Sequence, residues 1–136
     1  MVMKRIIDPS RIRRIDGGFS FIPHRFLMDG FLEALSQKEI LLYLFLVMAS
    51  DLNGLSFYSY DVICSLLQLS ADDYINARDG LIKKDFIAFD GTIFQVLSLP
   101  SRPLSATSTK VGPDLKYRAR IKKLIQHSLW EARGDG

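Results

Sequence analysis

Arg11, Arg13 and Arg14 fall within four residues, and Lys116, Arg118, Arg120, Lys122 and Lys123 within eight. Cations at that density can neutralise a polyanion and release its counterions. Asp72 and Asp73 stand side by side just after Ser70, where paired carboxylates could serve acid–base or metal chemistry. Acids in the first turn of a helix are also ordinary partners of its positive dipole end, and they are read that way here. Cys64 lies in an apolar helical stretch with no histidine nearby and reads as a small core residue. A single cysteine also excludes an internal disulfide and a cysteine-based zinc site. His24 and His127 are isolated, and no Gly-rich phosphate loop, nucleophile elbow or metal-spaced cluster is present. The expectation is a non-enzymatic protein without metal or cofactor.

These groups are distributed unevenly. Residues 1–35 hold six Lys/Arg against four Asp/Glu, residues 36–100 four against eight, and residues 101–136 eight against three. An acidic middle between basic ends is the pattern of a domain whose arms or tails meet a polyanion. At 136 residues, 48% of them hydrophobic, the chain is long and apolar enough for one domain with arms. The start MVMKRIIDPSRIRR has no apolar signal core, and the apolar run at 40–49 is well short of the roughly 20 residues of a membrane span. A cytoplasmic protein with no membrane contact is expected.

The elements that must position the charged groups follow from periodicity and punctuation. Asp16-Gly17-Gly18 closes a basic N-terminal arm, 1–18, and Phe19-Ser20-Phe21-Ile22 alternates like a short strand. Pro23 opens a short helix with Phe26, Leu27, Phe31 and Leu32 as its stripe, interrupted by Gly30. Ser36-Gln37-Lys38-Glu39 is a capping box, with Leu35 and Ile40 at the staple positions. From Ile40 to Ala49 that helix is apolar on every side, which predicts burial on every side. A turn at 51–54 and a short strand at 55–57 lead to Ser59. Ser59 caps a helix over 60–67 with Val62, Ile63, Leu66 and Leu67 inward. After the Gln68-Leu69 turn, Ser70 caps a helix over 71–84. Residues 86–97 then read as a β-hairpin with a type I′ turn at Asp90-Gly91. Residues 98–113 read as a linker, and 114–136 as a basic amphipathic helix and tail with Tyr117, Ile121, Leu124, Ile125 and Ser128 on one face.

Helix, short strand, helix, turn, helix and hairpin is the order of a winged helix-turn-helix. The stretch LSADDYINARDGLIKKDFIAFD resembles the recognition helix and wing of winged-helix transcriptional regulators and of replication-initiation modules of plasmids and bacterial primosomes. The preceding FIPHRFLMDGFLEALSQKEILLYLFLVMASD looks like the front end of the replication-initiator group. The resemblance implies a mainly α fold with a small antiparallel β wing, spanning 19–97 and carrying N- and C-terminal extensions. It places Tyr74, Ala77 and Leu81 in the core, with Phe86 and Ile87 leading into the wing. Two residues depart from the pattern. Asp85 stands where glycine is usual, at a position that favours a left-handed backbone. Arg78 stands where an apolar residue is usual and must snorkel or find an acid.

The resemblance also implies binding of double-stranded DNA. At about 100° per residue, the helix over 71–84 turns Asp72, Asn76, Asp79 and Lys83 away from its core face, a net charge of −1. Asn76 can read an adenine edge, and Asp72 or Asp79 can accept from a cytosine amine. Gly80 would let the backbone approach closely. Tyr58 and Ser59, at the mouth of the preceding helix, complete the expected contact set on the domain. Attraction is assigned to the ends: Arg11, Arg13 and Arg14, with Ile12 and Ile15 interleaved as in arms that enter minor grooves, and Lys116, Arg118, Arg120, Lys122 and Lys123. Regulation of transcription or initiation of replication, including on a mobile element, is the first reading. A winged-helix adaptor that meets a protein through its acidic helix 71–84 is the second. A homodimer is expected, with residues 19–35 wrapping the core and the 114–132 helix at or near the interface.

Overall fold

A computed structural model describes residues 2–103 and 123–125. Their order is a 3-10 turn at Pro9–Arg11, α1 (Arg25–Met28), α2 (Gln37–Ala49), β1 (Leu55–Ser56), α3 (Tyr60–Leu67), α4 (Ala71–Lys83), β2 (Ile87–Phe89) and β3 (Phe94–Val96). The strands form one antiparallel sheet in the order β1-β3-β2. Residues 123–125 are helical. This is the mainly helical fold with a small β wing that the residue pattern implies, a winged helix-turn-helix.

Local chemistry sets the helix ends. The Ser36 hydroxyl accepts from the Glu39 amide while the Glu39 carboxylate accepts from the Ser36 amide, so the capping box is closed in both directions. Ser70 accepts from the Asp73 amide and starts α4. At the other end of α4, Asp85 takes a left-handed φ of 70°. The Asp85 amide then donates to the Ile82 carbonyl and the Phe86 amide to the Leu81 carbonyl. That pair of bonds is a Schellman closure, with buried Leu81 and Phe86 as its apolar contact. The closure delivers the chain from α4 into the wing.

The core forms where α2 packs on α4 and the sheet. Leu42, Tyr43, Leu46 and Val47 of α2 meet Tyr74, Ala77 and Leu81 of α4, with Ile63, Ile87 and Phe94 beside them. Phe26, Phe31 and Leu35 cover one end, so the segment after Pro23 wraps the core of its own chain.

Several expectations are corrected. Phe19–Ile22 form no strand: the three-stranded sheet is complete without them, and Phe19 and Phe21 are exposed. Alternation alone cannot make a strand without a ladder partner. The segment instead runs beside the end of α2, where the Ser20 hydroxyl donates to the Met48 carbonyl at 3.5 Å. Pro23 precedes a helix of only four residues, and Leu27 is exposed. Helix α2 is not buried all round: among the described residues it packs on α4 and the sheet, and Leu41, Leu44 and Met48 are exposed. In α3 only Ile63 is fully buried, while Val62 and Leu66 are exposed. The two-residue type I′ turn is absent, since Phe89 pairs with Phe94 and leaves residues 90–93 as the loop. There the Asp90 carboxylate accepts from the Thr92 and Ile93 amides, an Asx arrangement that competes with the tighter turn.

Candidate nucleic-acid interface

The turn between α3 and α4 is built from backbone. Gln68 adopts a left-handed φ of 56°, and the Leu69 amide donates back to the Cys64 carbonyl. Ser70 then caps α4 and fixes its rotation, with Tyr74, Ala77 and Leu81 buried. Asp72, Asn76, Asp79 and Lys83 are exposed, on the face the helical spacing assigns them.

The charge on that face differs from a residue count. The Arg78 guanidinium lies over the Tyr74 ring, 5.6 Å from its centroid, and over the Phe89 ring at 5.4 Å. From there it donates through Nε and a terminal nitrogen to one Asp79 oxygen, both at 3.1 Å. The side chain that breaks the apolar pattern therefore rests on two rings and quenches an acid of the exposed face. Asp73 is paired in turn with Lys38 of α2 at 2.8 Å. Asp72 and Lys83 remain, of opposite sign, so the face is close to neutral. Both pairings join residues whose facing depends on packing: Lys38 is 35 positions from Asp73 and carries no sequence signal for the contact.

The closest approach permitted by Gly80 is corrected. A Cβ at Gly80 would run into the Glu39 carboxylate, so the missing side chain makes room for α2, not for a ligand. Glu39 is buried, and its Oε1 accepts from the Lys84 ammonium at 2.6 Å and from the Ser36 amide at 2.8 Å. Lys84 also donates to the Ala34 carbonyl. This pair was not anticipated, because the capping box already accounted for Glu39.

Tyr58 is exposed and packs edge-on against Phe45. Ser59 begins α3, but its hydroxyl does not cap the helix amides. Instead the hydroxyl, beside the Asp61 carboxylate, holds that acid below the ordinary carboxylate range. Arg11, Arg13 and Arg14 are exposed and, among the described residues, their side chains enter no hydrogen bond or ion pair, while Ile12 and Ile15 are exposed between and beside them. The Asp8 carboxylate accepts from the Ser10 amide and hydroxyl and shapes the turn that presents Arg11. Lys123 is exposed. Lys116, Arg118, Arg120 and Lys122 lie outside the described residues, as does most of the 114–132 stretch.

Two acids, Asp73 at the start of α4 and Asp90 in the wing loop, make stability depend on pH. Lys38 and then Ser70 hold Asp73 below its ordinary 3.8, and the Ile93 and Thr92 amides do the same for Asp90. A depressed folded value means the stabilisation is complete above 3.8 and is lost as pH falls through the folded value. Urea midpoints should therefore hold from about pH 7 to about 5 and drop below about 4, with a shallower drop in Asp73→Asn. A midpoint that rises on acidification would contradict these pairings.

Compared with known families, residues 32–87 match the helix-turn-helix domain. The matched stretch runs from the end of the core-wrapping segment through α4 to the start of β2. No curated protein and no solved structure matches the chain. Among the described residues no helix is long and apolar enough to cross a membrane.

Proposed function

We propose that this helix-turn-helix domain binds double-stranded DNA, without catalysis and as a cytoplasmic homodimer, in transcriptional control or in replication initiation, including on a mobile element. The observation that carries the reading is the exposed face of α4. Asn76 stands at its centre, flanked by an Asp79 paired with Arg78 and by Lys83, which enters no ion pair among the described residues. A near-neutral helix can enter a major groove without the repulsion its composition suggests. Base contacts then specify, and phosphate contacts attract. In this reading Asn76 reads an adenine edge and Asp72 accepts from a cytosine amine, while Tyr58, Ser59 and Lys83 lie against the backbone. Attraction comes from the 1–18 arm through Arg11, Arg13 and Arg14 and from the basic stretch after the 98–113 linker.

Replacing Arg11, Arg13 and Arg14 together by alanine should weaken binding to every duplex and shallow the salt slope by about one unit per lost phosphate contact. Asn76→Ala should cost about 1–3 kcal/mol on a selected site and far less on random duplex. Anisotropy titrations with both duplexes measure the two effects. The adaptor reading is favoured only by Asp72, which enters no ion pair among the described residues at the exposed start of α4. It prevails if the arginine variant binds DNA like the parent while Asp72→Asn abolishes capture of a protein partner.

A further inference from the structure

Tyr43 and Val47 of α2 border a cavity of about 870 Å³, the size of pockets that hold drug-sized molecules. The turn from Ser50 to Gly54 and the wing exit from Val96 to Leu99 supply more of its lining. Phe19, Phe21 and Leu52 line it as well, and all three are exposed. The fold itself holds these segments in place. The Val96 amide donates to the Gly54 carbonyl at 2.8 Å, and a Cβ on Gly54 would meet the Val96 carbonyl oxygen. Arg25 donates to the Leu99 and Pro100 carbonyls at 3.2 and 2.6 Å, which ties the chain beyond the wing to α1.

One polar group in this lining is buried without a partner. Tyr43 is 4% exposed, with its ring stacked on Phe26 at 5.2 Å. Its hydroxyl makes no hydrogen bond among the described residues, and burial raises its pKa, so at neutral pH it is a protonated donor. Among the described residues that are not exposed, Ser56 Oγ is the one side-chain polar atom both shut off from the surface and unpartnered. The Tyr43 hydroxyl is therefore not sealed in the core and reaches the cavity that its residue lines. The charged side chains of the lining are committed elsewhere. Arg25 holds two carbonyls and Asp29, and one Asp51 oxygen accepts from the Asn53 and Leu55 amides. An anion would find no free cation here.

We infer that this cavity binds a neutral, mainly apolar small molecule whose carbonyl oxygen accepts the hydrogen bond of Tyr43. Such an occupant satisfies the buried donor and covers the apolar surface of Phe19, Phe21 and Leu52. No residue of α4 contributes to the lining, so the site is separate from the candidate nucleic-acid interface. The inference does not rest on DNA binding.

Prodan, a neutral naphthalene with one ketone, belongs to this class, and its fluorescence reports both apolar surroundings and hydrogen bonding at the ketone. Titrated with the full chain, it should bind saturably, with emission shifted to the blue of its value in water. Tyr43→Phe keeps the ring and removes the donor. It should weaken binding roughly 2- to 10-fold and shift the bound emission further to the blue. Ser98→Trp, at an exposed position of the lining, should abolish binding with an unchanged circular dichroism melt. Leu44→Gln, which leaves the lining intact, should bind like the parent. The Ser98 and Leu44 variants decide the matter even if Tyr43→Phe fails to fold. No saturable binding by the full chain overturns the site. Binding that survives Ser98→Trp, or is lost with Leu44→Gln, places the probe elsewhere and overturns it too. A folded Tyr43→Phe with the parent's affinity and emission overturns the role of the hydroxyl.

Discussion

Phe86→Ala should lower the unfolding free energy by about 3–5 kcal/mol, a large share of the 5–15 kcal/mol typical of a small domain. Phe86 is 1% exposed and lies edge-on to three rings, Phe26 at 6.0 Å, Phe31 at 5.9 Å and Tyr43 at 5.4 Å. Its truncation removes apolar burial, opens a cavity and breaks the aromatic contacts in one step. Phe86 stands where α4 passes into the wing: its amide donates to the Leu81 carbonyl and its carbonyl accepts from the Leu97 amide, bonds that alanine retains. Urea unfolding should show a lower midpoint with an unchanged slope. A loss below about 1 kcal/mol would mean that the core is not organised around this ring.

Glu39→Ala should cost about 3 kcal/mol or more, since it strands Lys84 in a half-buried site and opens the capping box of α2. A second substitution separates this account from a general weakening. Gly80→Ala alone should destabilise, because its Cβ meets the Glu39 carboxylate, whose oxygen and carbons are its nearest neighbours. The Glu39→Ala background removes those three nearest atoms, and alanine in a helix interior is favoured over glycine by about 1 kcal/mol. Gly80→Ala should thus reverse sign between the two backgrounds, a coupling read directly from a double-mutant cycle. Additive effects would show that Glu39 and Gly80 do not share the space between α2 and α4.

Features decided by a few neighbouring residues were legible in the sequence. Ser36 with Glu39, Ser70 with its following amides and the left-handed Asp85 are local, and each stands as its residue type requires. The helical spacing likewise separated Tyr74, Ala77 and Leu81 from Asp72, Asn76, Asp79 and Lys83. What was misread depends on which elements meet. The apolar run of α2 implies burial only where neighbours exist, and among the described residues Leu41, Leu44 and Met48 stay exposed. Val62 and Leu66 are exposed for the same reason, and Gly80 was assigned to a ligand because its true neighbour, Glu39, is 41 positions away. The largest effect on the candidate interface came from Arg78. Its need for rings and an acid was evident from its position, but that the acid would be Asp79 on the exposed face required the packed structure.

The central claim is that this domain binds duplex DNA and that cations outside α4 supply the attraction. The most direct measurement is the affinity of the full chain for a fluorescent random duplex, titrated at a series of salt concentrations. Saturable binding at low salt, with log affinity against log salt falling at a slope of roughly −3 or steeper, is the result this account predicts. No saturable binding at low salt, or a slope flatter than about −1, would contradict it.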